Sequence, residues 1–357
     1  MVTLKRLAAI AAVAGTATLG ACSDALSPDT VDPQALSGNL NTLAASFENN
    51  AAFQSMRLLA PSFPAYGASA LLRASLDAVT TTGRLSADAP RARAAATRLL
   101  ASLRSPGGID VLFPADVLGR TLVWDSDSAK YVVSNVAGAP PNGIRIILYV
   151  ANPLTGQPFG PTPQPIGNLD LTDESSPAAN KLGVLLRLGG LTLADYDITA
   201  TVTTTSVTLR AQGYVRSGDG TQQVDFDISL SVTVSSVNIN VVVEGSDGTV
   251  IRVDVEAGAT SASVDFSVHH SNNTIAVSVV ESSSNTVAGT ISFNGTVVAT
   301  ITGPADDPAV VAVDGFTLTP ADVATLEALF INLGDLLTDL LEGILAPGAI
   351  VFGGTFG

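Results

Sequence analysis

Residues 224–243 have the sequence VDFDISLSVTVSSVNINVVV, and this stretch decides the fold. From Val224 to Val234 every second residue is apolar, and the residues between them are Asp, Ser or Thr. This alternation is typical of a β-strand with one buried and one solvated face. Ser235 and Ser236 separate the segment from a second alternating run that begins at Val237. A two-residue turn at the serines predicts Val234 opposite Val237, with the apolar residues of both strands on one face.

Similar alternation extends in both directions along the chain. It predicts strands at 121–124, 131–133, 144–150, 166–171, 182–188, 196–203, 207–215, 223–234, 237–243, 250–256, 263–268, 274–280, 287–293 and 296–302. The run at 144–150 is apolar throughout, which favours a strand covered on both faces. Most connections are short, whereas parallel pairing needs crossovers of about a dozen residues, so we predict an antiparallel meander. After Asn294-Gly295 the alternation changes face, and either both faces are covered there or a β-bulge shifts the register.

Helical patterns flank this sheet at both ends of the chain. Residues 33–104 contain apolar residues at helical spacing and an arginine-rich stretch, and residues 320–345 form a wide leucine-rich stripe that ends at Pro347-Gly348. The expected fold is therefore α+β but mainly β: a large curved antiparallel meander at 105–357, with N- and C-terminal helices packed on one face. We expect 33–357 to form one globular unit.

The N-terminus has the composition of an export signal. Lys5 and Arg6 precede the alanine-rich apolar segment 7–19, which is too short to span a bilayer. It ends in Leu19-Gly20-Ala21-Cys22, which resembles the lipobox of bacterial lipoproteins. The resemblance covers only residues 1–22, and Gly at the second position is less usual than Ala or Ser.

The lipobox resemblance implies that residues 1–21 are a signal peptide and that Cys22 becomes the lipidated N-terminus. Residues 22–32, which are acidic and contain proline, would then form a tether. Ser23 beside the modified cysteine resembles lipoproteins sorted to the outer membrane, so we expect a bacterial cell-envelope protein whose membrane partner is bound through its lipid. An ordinary secretory signal with an incidental cysteine remains the alternative.

Composition excludes several classes of function. The 357-residue chain has a net charge of −15, and removing Lys5 and Arg6 with the signal peptide would make it −17, so nucleic acid is a poor partner. The chain has one cysteine, which excludes an intramolecular disulfide and a Cys/His metal cluster. Its two histidines, His269 and His270, are neighbours and would point to opposite faces of a strand. We expect them to be solvated turn residues.

The sequence predicts no catalytic site, cofactor site or metal site. The serine-hydrolase elbow, the zinc-protease motif and the phosphate-binding loop do not occur in it. Five aspartates near turns could ligate calcium, but their spacing fits no EF-hand loop: Asp219, Asp225, Asp227, Asp247 and Asp254.

Two functions remain open. The first is a non-catalytic lipoprotein that acts as a structural or protein-interaction module, with an envelope protein as its partner. The alternative is a carrier that holds an acyl chain or another apolar ligand between the sheet and the helices. A carrier needs an apolar cavity, whereas a structural module packs its core solidly.

Overall fold

A computed structural model of the protein describes residues 112–150, 152, 157–233, 235–258, 261–305, 308–317, 319, 343–344, 347–348 and 351. The predicted signal peptide, tether and 33–104 helices lie outside these residues, as does most of the predicted 320–345 helix. No helix within the described residues is long and apolar enough to cross a bilayer.

Fifteen strands form one mainly antiparallel sheet, so the prediction of a mainly β fold is confirmed. The strands are β1 (Arg120–Asp125), β2 (Lys130–Ser134), β3 (Gly143–Tyr149), β4 (Pro165–Asp173), β5 (Asn180–Leu188), β6 (Leu191–Val202), β7 (Ser206–Arg216), β8 (Gln223–Thr233), β9 (Val237–Gly245), β10 (Val250–Ala257), β11 (Ser261–His270), β12 (Asn273–Ser282), β13 (Thr286–Phe293), β14 (Thr296–Pro304) and β15 (Ala309–Ala312). They are ordered along the sheet as in the chain from β15 to β3, followed by β1 and then β2.

The sheet departs from a simple meander at β1. The hairpin of β1 and β2 is antiparallel, but β1 pairs with β3 in parallel, with Thr121 beside Arg145 and Leu122 beside Ile146. The sequence prediction of antiparallel pairing throughout was therefore wrong at this one position. The connection from β1 to β3 contains β2, so it is long enough for a parallel pair.

The described strands belong to two compact units, and β1–β8 up to Ser231 lie in the first. Its apolar face is built from cross-strand rows, in which Ile146 is paired with Leu169 and Leu169 with Leu186. These side chains are fully buried, as are their neighbours Ile144 and Leu171. The opposite face of β3 is half-buried at Arg145 and Ile147.

The second unit contains β9–β15. Here too the apolar residues of successive strands fall in register, for example Val241, Val253, Phe266, Val277 and Ile291. The side chains between them are Ser, Thr, Asn, Asp or Glu at most positions, which produces a polar second face. The one-face interpretation of the alternating pattern therefore describes this unit well.

The central hairpin differs by one residue from the prediction. The N–H of Thr233 donates to the carbonyl oxygen of Ser236 at 2.9 Å, so Thr233 and Ser236 flank the turn, rather than Val234 and Val237 as predicted. The hydroxyl of Thr233 accepts hydrogen bonds from the amides of Ser235 and Ser236, which stabilises this turn. This shift of the turn places Val232, rather than Val234, opposite Val237, and the apolar residues of β8 and β9 still share one face.

The conflict after Asn294-Gly295 is resolved by a β-bulge. Both turn residues have positive φ, 47° and 80°, as a two-residue hairpin requires. Ser292 pairs with Val297 and Ile291 with Ala299, so Val298 is the extra residue. Val298 and Ala299 are both buried because the bulge turns the following residues back towards the apolar face.

The end of the chain also departs from expectation. Gly343 and Ile344 are helical as predicted, but Pro347, Gly348 and Val351 are helical too, so the predicted end at Pro347-Gly348 was wrong. Ile344 and Val351 are buried. Strand β15, which the sequence did not predict, pairs with β14.

Candidate functional site

The single site residue that the sequence predicts, Cys22, lies outside the described residues, and its lipidation remains a prediction. Within the described chain, charged side chains meet on the polar face of β3–β8. The candidate site comprises the ion pairs of this face, the turn carboxylates, the histidines and the exposed sheet edge.

The most buried ion pair is centred on Asp170 in β4, whose side chain is only 7% exposed. Arg145 in β3 donates to it through two nitrogens, Nε to Oδ1 at 2.6 Å and Nη2 to Oδ2 at 2.7 Å. Arg187 in β5 donates from Nη1 to Oδ2 at 3.3 Å, and Asn168 from Nδ2 to Oδ1 at 3.1 Å. Each carboxylate oxygen therefore accepts two hydrogen bonds, and we call these four residues the Asp170 cluster.

Strand register explains why these residues meet. Arg145 and Asp170 are directly opposite each other on β3 and β4, and Asn168 is opposite Arg187 on β4 and β5. All four project from the side opposite the buried leucines, because side chains alternate along a strand. The hydrogen bond to Asp170 is the main cause that raises the pKa of Arg145. With every Asp170 oxygen occupied by fixed donors, the cluster holds strands together rather than offering a carboxylate for acid–base chemistry.

Three further ion pairs on the same face, formed by Lys181 and Arg210, are more exposed. Lys181 binds Glu174 at 2.8 Å and Asp197 at 2.9 Å, and the pKa of Lys181 is raised by these carboxylates, Glu174 first. Arg210 in β7 forms a two-nitrogen pair with Asp227 in β8, at 2.8 and 2.5 Å. Pairing with Arg210 lowers the pKa of Asp227. Exposed pairs of this kind contribute little to stability because water screens them.

The five aspartates considered for calcium are used by neighbouring protein groups. Asp219 accepts hydrogen bonds from Ser217 and from the amide and hydroxyl of Thr221, which lower its pKa to about 2. The other four have separate protein partners: Arg210 for Asp227, Gln223 for Asp225, Thr249 for Asp247 and Asn240 for Asp254. Among the residues that the structure describes, no group of three His, Cys, Asp or Glu side chains is placed to hold a metal ion.

The two histidines lie at the end of β11 rather than in a turn, which corrects that expectation. His269 is exposed and bonded to the Thr274 hydroxyl, whereas His270 contacts Thr249 at 2.9 Å from Nδ1 to Oγ1. The Thr249 hydroxyl donates its only proton to Asp247, so Nδ1 of His270 must carry a hydrogen and donate to Thr249. This chain of bonds fixes the turn between β9 and β10.

At the β2 end of the strand order, the first unit exposes large apolar side chains. Strand β2 pairs only with β1 among the described strands, and it presents Val132 and Val133 with 38% and 48% of their surface exposed. Beside them, Tyr131 and Trp124 form an edge-to-face pair with ring centres 5.5 Å apart. Burial raises the pKa of Tyr131. We call residues 130–134 the β2 edge; the sequence predicted the strand at 131–133 but gave no signal that it would end the sheet.

The apolar face of the first unit contains one buried polar contact. The hydroxyl of Tyr196 in β6 donates to the carbonyl oxygen of Ile344 at 2.8 Å, and both residues are buried. Tyr196 also packs edge-to-face on Phe226, with ring centres 5.4 Å apart. Burial raises the pKa of Tyr196 well above its usual value, so the phenol remains a hydrogen-bond donor. The carbonyl group of Ile344 thus contacts the apolar face at Tyr196.

Comparison with known proteins provides no relative. No protein-family model, no curated protein and no solved structure matches the chain.

Proposed function

We propose that this chain is a lipid-anchored protein of the bacterial cell envelope, sorted to the outer membrane, whose sheet acts as a non-catalytic structural or protein-interaction module. Anchoring rests on the sequence Leu19-Gly20-Ala21-Cys22, in which the one cysteine of the chain occupies the position that lipidation requires. Two or three acyl chains on that residue would hold the protein stably at the membrane, since each buried methylene contributes about 0.8 kcal/mol.

The observation that carries the module interpretation is the packing of the apolar face. Ile144, Ile146, Leu148, Leu169 and Leu171 have no water-accessible surface. A cavity large enough for an acyl chain would also admit water-sized probes and leave accessible surface on its lining. The packing of β3 and β4 therefore supports a solid core over an apolar carrier in this part of the chain.

The predicted helices at 33–104 and 320–345 are proposed to cover the apolar face. The bond from Tyr196 to Ile344 and the burial of Val351 support this arrangement. A phenol hydroxyl buried in an apolar layer is costly without a partner, so the contact with the Ile344 carbonyl stabilises the docked position.

Metabolic labelling with a palmitate analogue tests the anchor. Wild-type protein should be labelled and recovered with the membrane fraction, whereas Cys22→Ala should be unlabelled. Equal labelling of both proteins would exclude lipidation at Cys22.

Native mass spectrometry with lipid extraction tests the module against the carrier. Protein released from the anchor should carry no bound lipid in the absence of detergent. A stoichiometric acyl ligand in that sample would favour the carrier instead.

A further inference from the structure

The β2 edge has few of the devices by which sheets usually prevent edge-to-edge contact: it is short and begins with Lys130, but it has no proline and no bulge. Unprotected edges present a row of backbone donors and acceptors, and proteins commonly block them with proline, bulges or inward-pointing charges. Strand β2 has the sequence KYVVS, contains no proline, and pairs with β1 without a register shift. No described strand lies beyond it.

The opposite end of the sheet order is different. Strand β15 has four residues, Pro308 comes directly before it, and β14 ends at Pro304. Proline cannot donate a ladder hydrogen bond, so it limits the addition of a further strand. Val311 on β15 is nevertheless 51% exposed, more than Val132 on β2 at 38%, so random collision would favour cross-linking at Val311 and this valine serves as the control.

We propose that the β2 edge pairs with the same edge of a second copy of this chain, antiparallel and about a two-fold axis at Val132. The sequence KYVVS is compatible with pairing to itself. In this register the axis brings Val132 against the partner's Val132, and Tyr131 against the partner's Val133. Tyr131 and Val133 share a face because they alternate with Val132. The Tyr131 hydroxyl donates to the carbonyl oxygen of Ile147 at 3.2 Å, so this ring is directed back across its own sheet, and Val132 supplies the apolar contact of the strand pair.

The charged side chains near β2 also allow this antiparallel register. Lys130 is the only charged residue of β2 and would lie opposite the partner's Ser134, so no like charges meet within the strand pair. The acidic turn that contains Asp125 and Asp127 is at one end of β2, and an antiparallel arrangement places the two copies' turns at opposite ends. A parallel arrangement would bring both turns together, which their negative charge opposes.

The inference deepens the proposed interaction role and rests on the proposed anchor. Pairing of two five-residue strands buries much less than the roughly 1,000 Å² expected of a stable independent interface. Two copies confined to one membrane meet at a high effective concentration, which favours a weak contact. The second copy is therefore expected to pair on the membrane rather than in dilute solution.

Cysteine cross-linking in membranes tests the proposal on the full chain. Opposed residues of an antiparallel pair have Cα atoms about 4.5–5.5 Å apart, which is within the range that a disulfide spans. Membranes containing wild type, Val132→Cys or Val311→Cys are oxidised and analysed on non-reducing gels, and a portion of each is labelled with the palmitate analogue. Val132→Cys should form a reducible dimer several-fold more than Val311→Cys and wild type.

Each outcome decides between the two ideas. Labelled protein without preferential cross-linking of Val132→Cys overturns the pairing and leaves the anchor intact. Similar cross-linking of both edge variants indicates random collision and also overturns it. Unlabelled protein overturns the anchor and, with it, the membrane-dependent pairing. Resistance of each variant to limited proteolysis at the wild-type level controls for folding, which an exposed valine-to-cysteine change should not disturb.

Discussion

Replacing Asp170 with asparagine should strongly destabilise the first unit. The change keeps the size of the side chain but removes the negative charge that Arg145 and Arg187 share. Arg145 would then remain 79% buried on the polar face without its anion, since its side chain is only 21% exposed. A buried charge that loses its partner is more costly than the intact pair is favourable.

The expected magnitude follows from the geometry. Breaking a buried ion pair by removing one partner costs about 3–5 kcal/mol, and each hydrogen bond to a charged group contributes about 1.5–3 kcal/mol. Arg145 forms two such bonds to Asp170, at 2.6 and 2.7 Å. Asparagine retains one acceptor oxygen and Arg145 has some contact with water, so the lower end applies. We expect Asp170→Asn to lower the free energy of unfolding by about 3 kcal/mol.

Asp227→Asn is the matched control. Arg210 binds Asp227 through the same two nitrogens, on the same face, but the two side chains are 51% and 37% exposed. An exposed pair contributes only about 0.2–1 kcal/mol. Urea denaturation followed by circular dichroism should show a large fall in the midpoint for Asp170→Asn and a small one for Asp227→Asn, with similar slopes.

Equal losses in the two variants would refute the argument that burial decides the cost. The double variant Arg145→Met/Asp170→Leu provides a second test of this argument. Replacing both charges with apolar groups should be less harmful than Asp170→Asn alone, because no buried charge is left without a partner. A double variant that is less stable than the single one would show that the pair itself, rather than the orphaned cation, carries the energy.

Four other predictions test the fold. Ile228→Asp, on the buried face of β8, should lower the free energy of unfolding by several kcal/mol in thermal or urea unfolding. Ser229→Asp, on the opposite face, should change it by less than about 0.5 kcal/mol. Equal destabilisation by the two variants would mean that both faces of β8 are covered. The buried Thr121 hydroxyl has no hydrogen-bond partner among the described residues. Thr121→Val should therefore raise the free energy of unfolding, and Thr121→Ser, which keeps the hydroxyl, should not. A lower stability of the valine variant would show that the hydroxyl has a hydrogen-bond partner. Asp219 has its pKa lowered to about 2, so its stabilising contribution is present above pH 4 and lost towards pH 2. The difference in Tm between wild type and Asp219→Asn should therefore narrow from pH 5 to pH 2, and a constant difference would contradict this. Deletion of residues 319–357 should give an insoluble or molten product, and an unchanged cooperative melt would show that this segment is not part of the core.

The strands could be predicted because their signal is local. In β8 and β9 every second side chain is apolar, and this pattern specifies both the strand and the face that it buries. β15 escaped prediction because its sequence, AVVA, is too short to show alternation. The one-residue change in the central turn also has a local cause, the Thr233 hydroxyl, which competes for the amides of the serines that follow it.

The Asp170 cluster could not be predicted from local patterns. Arg145 and Arg187 lie 25 and 17 residues from Asp170 along the chain, and the three meet only because three strands pair in one register. A usable signal did exist in the apolar residues. Aligning Ile144 and Ile146 with Leu171 and Leu169 would have placed Arg145 opposite Asp170, since the residue between two paired apolar positions must also be paired.

The β2 edge was unpredictable for a different reason. Whether a strand is central or terminal is a property of the strand order, and the order around β1 is the one place where this sheet does not follow the chain. A meander would have placed β2 between β1 and β3, with Val132 and Val133 facing neighbours on both sides. The parallel pairing of β1 with β3 instead moves β2 outward and leaves these valines exposed. A residue pattern suited to the interior of a sheet thus lies at its border, where another strand is the partner that satisfies it best.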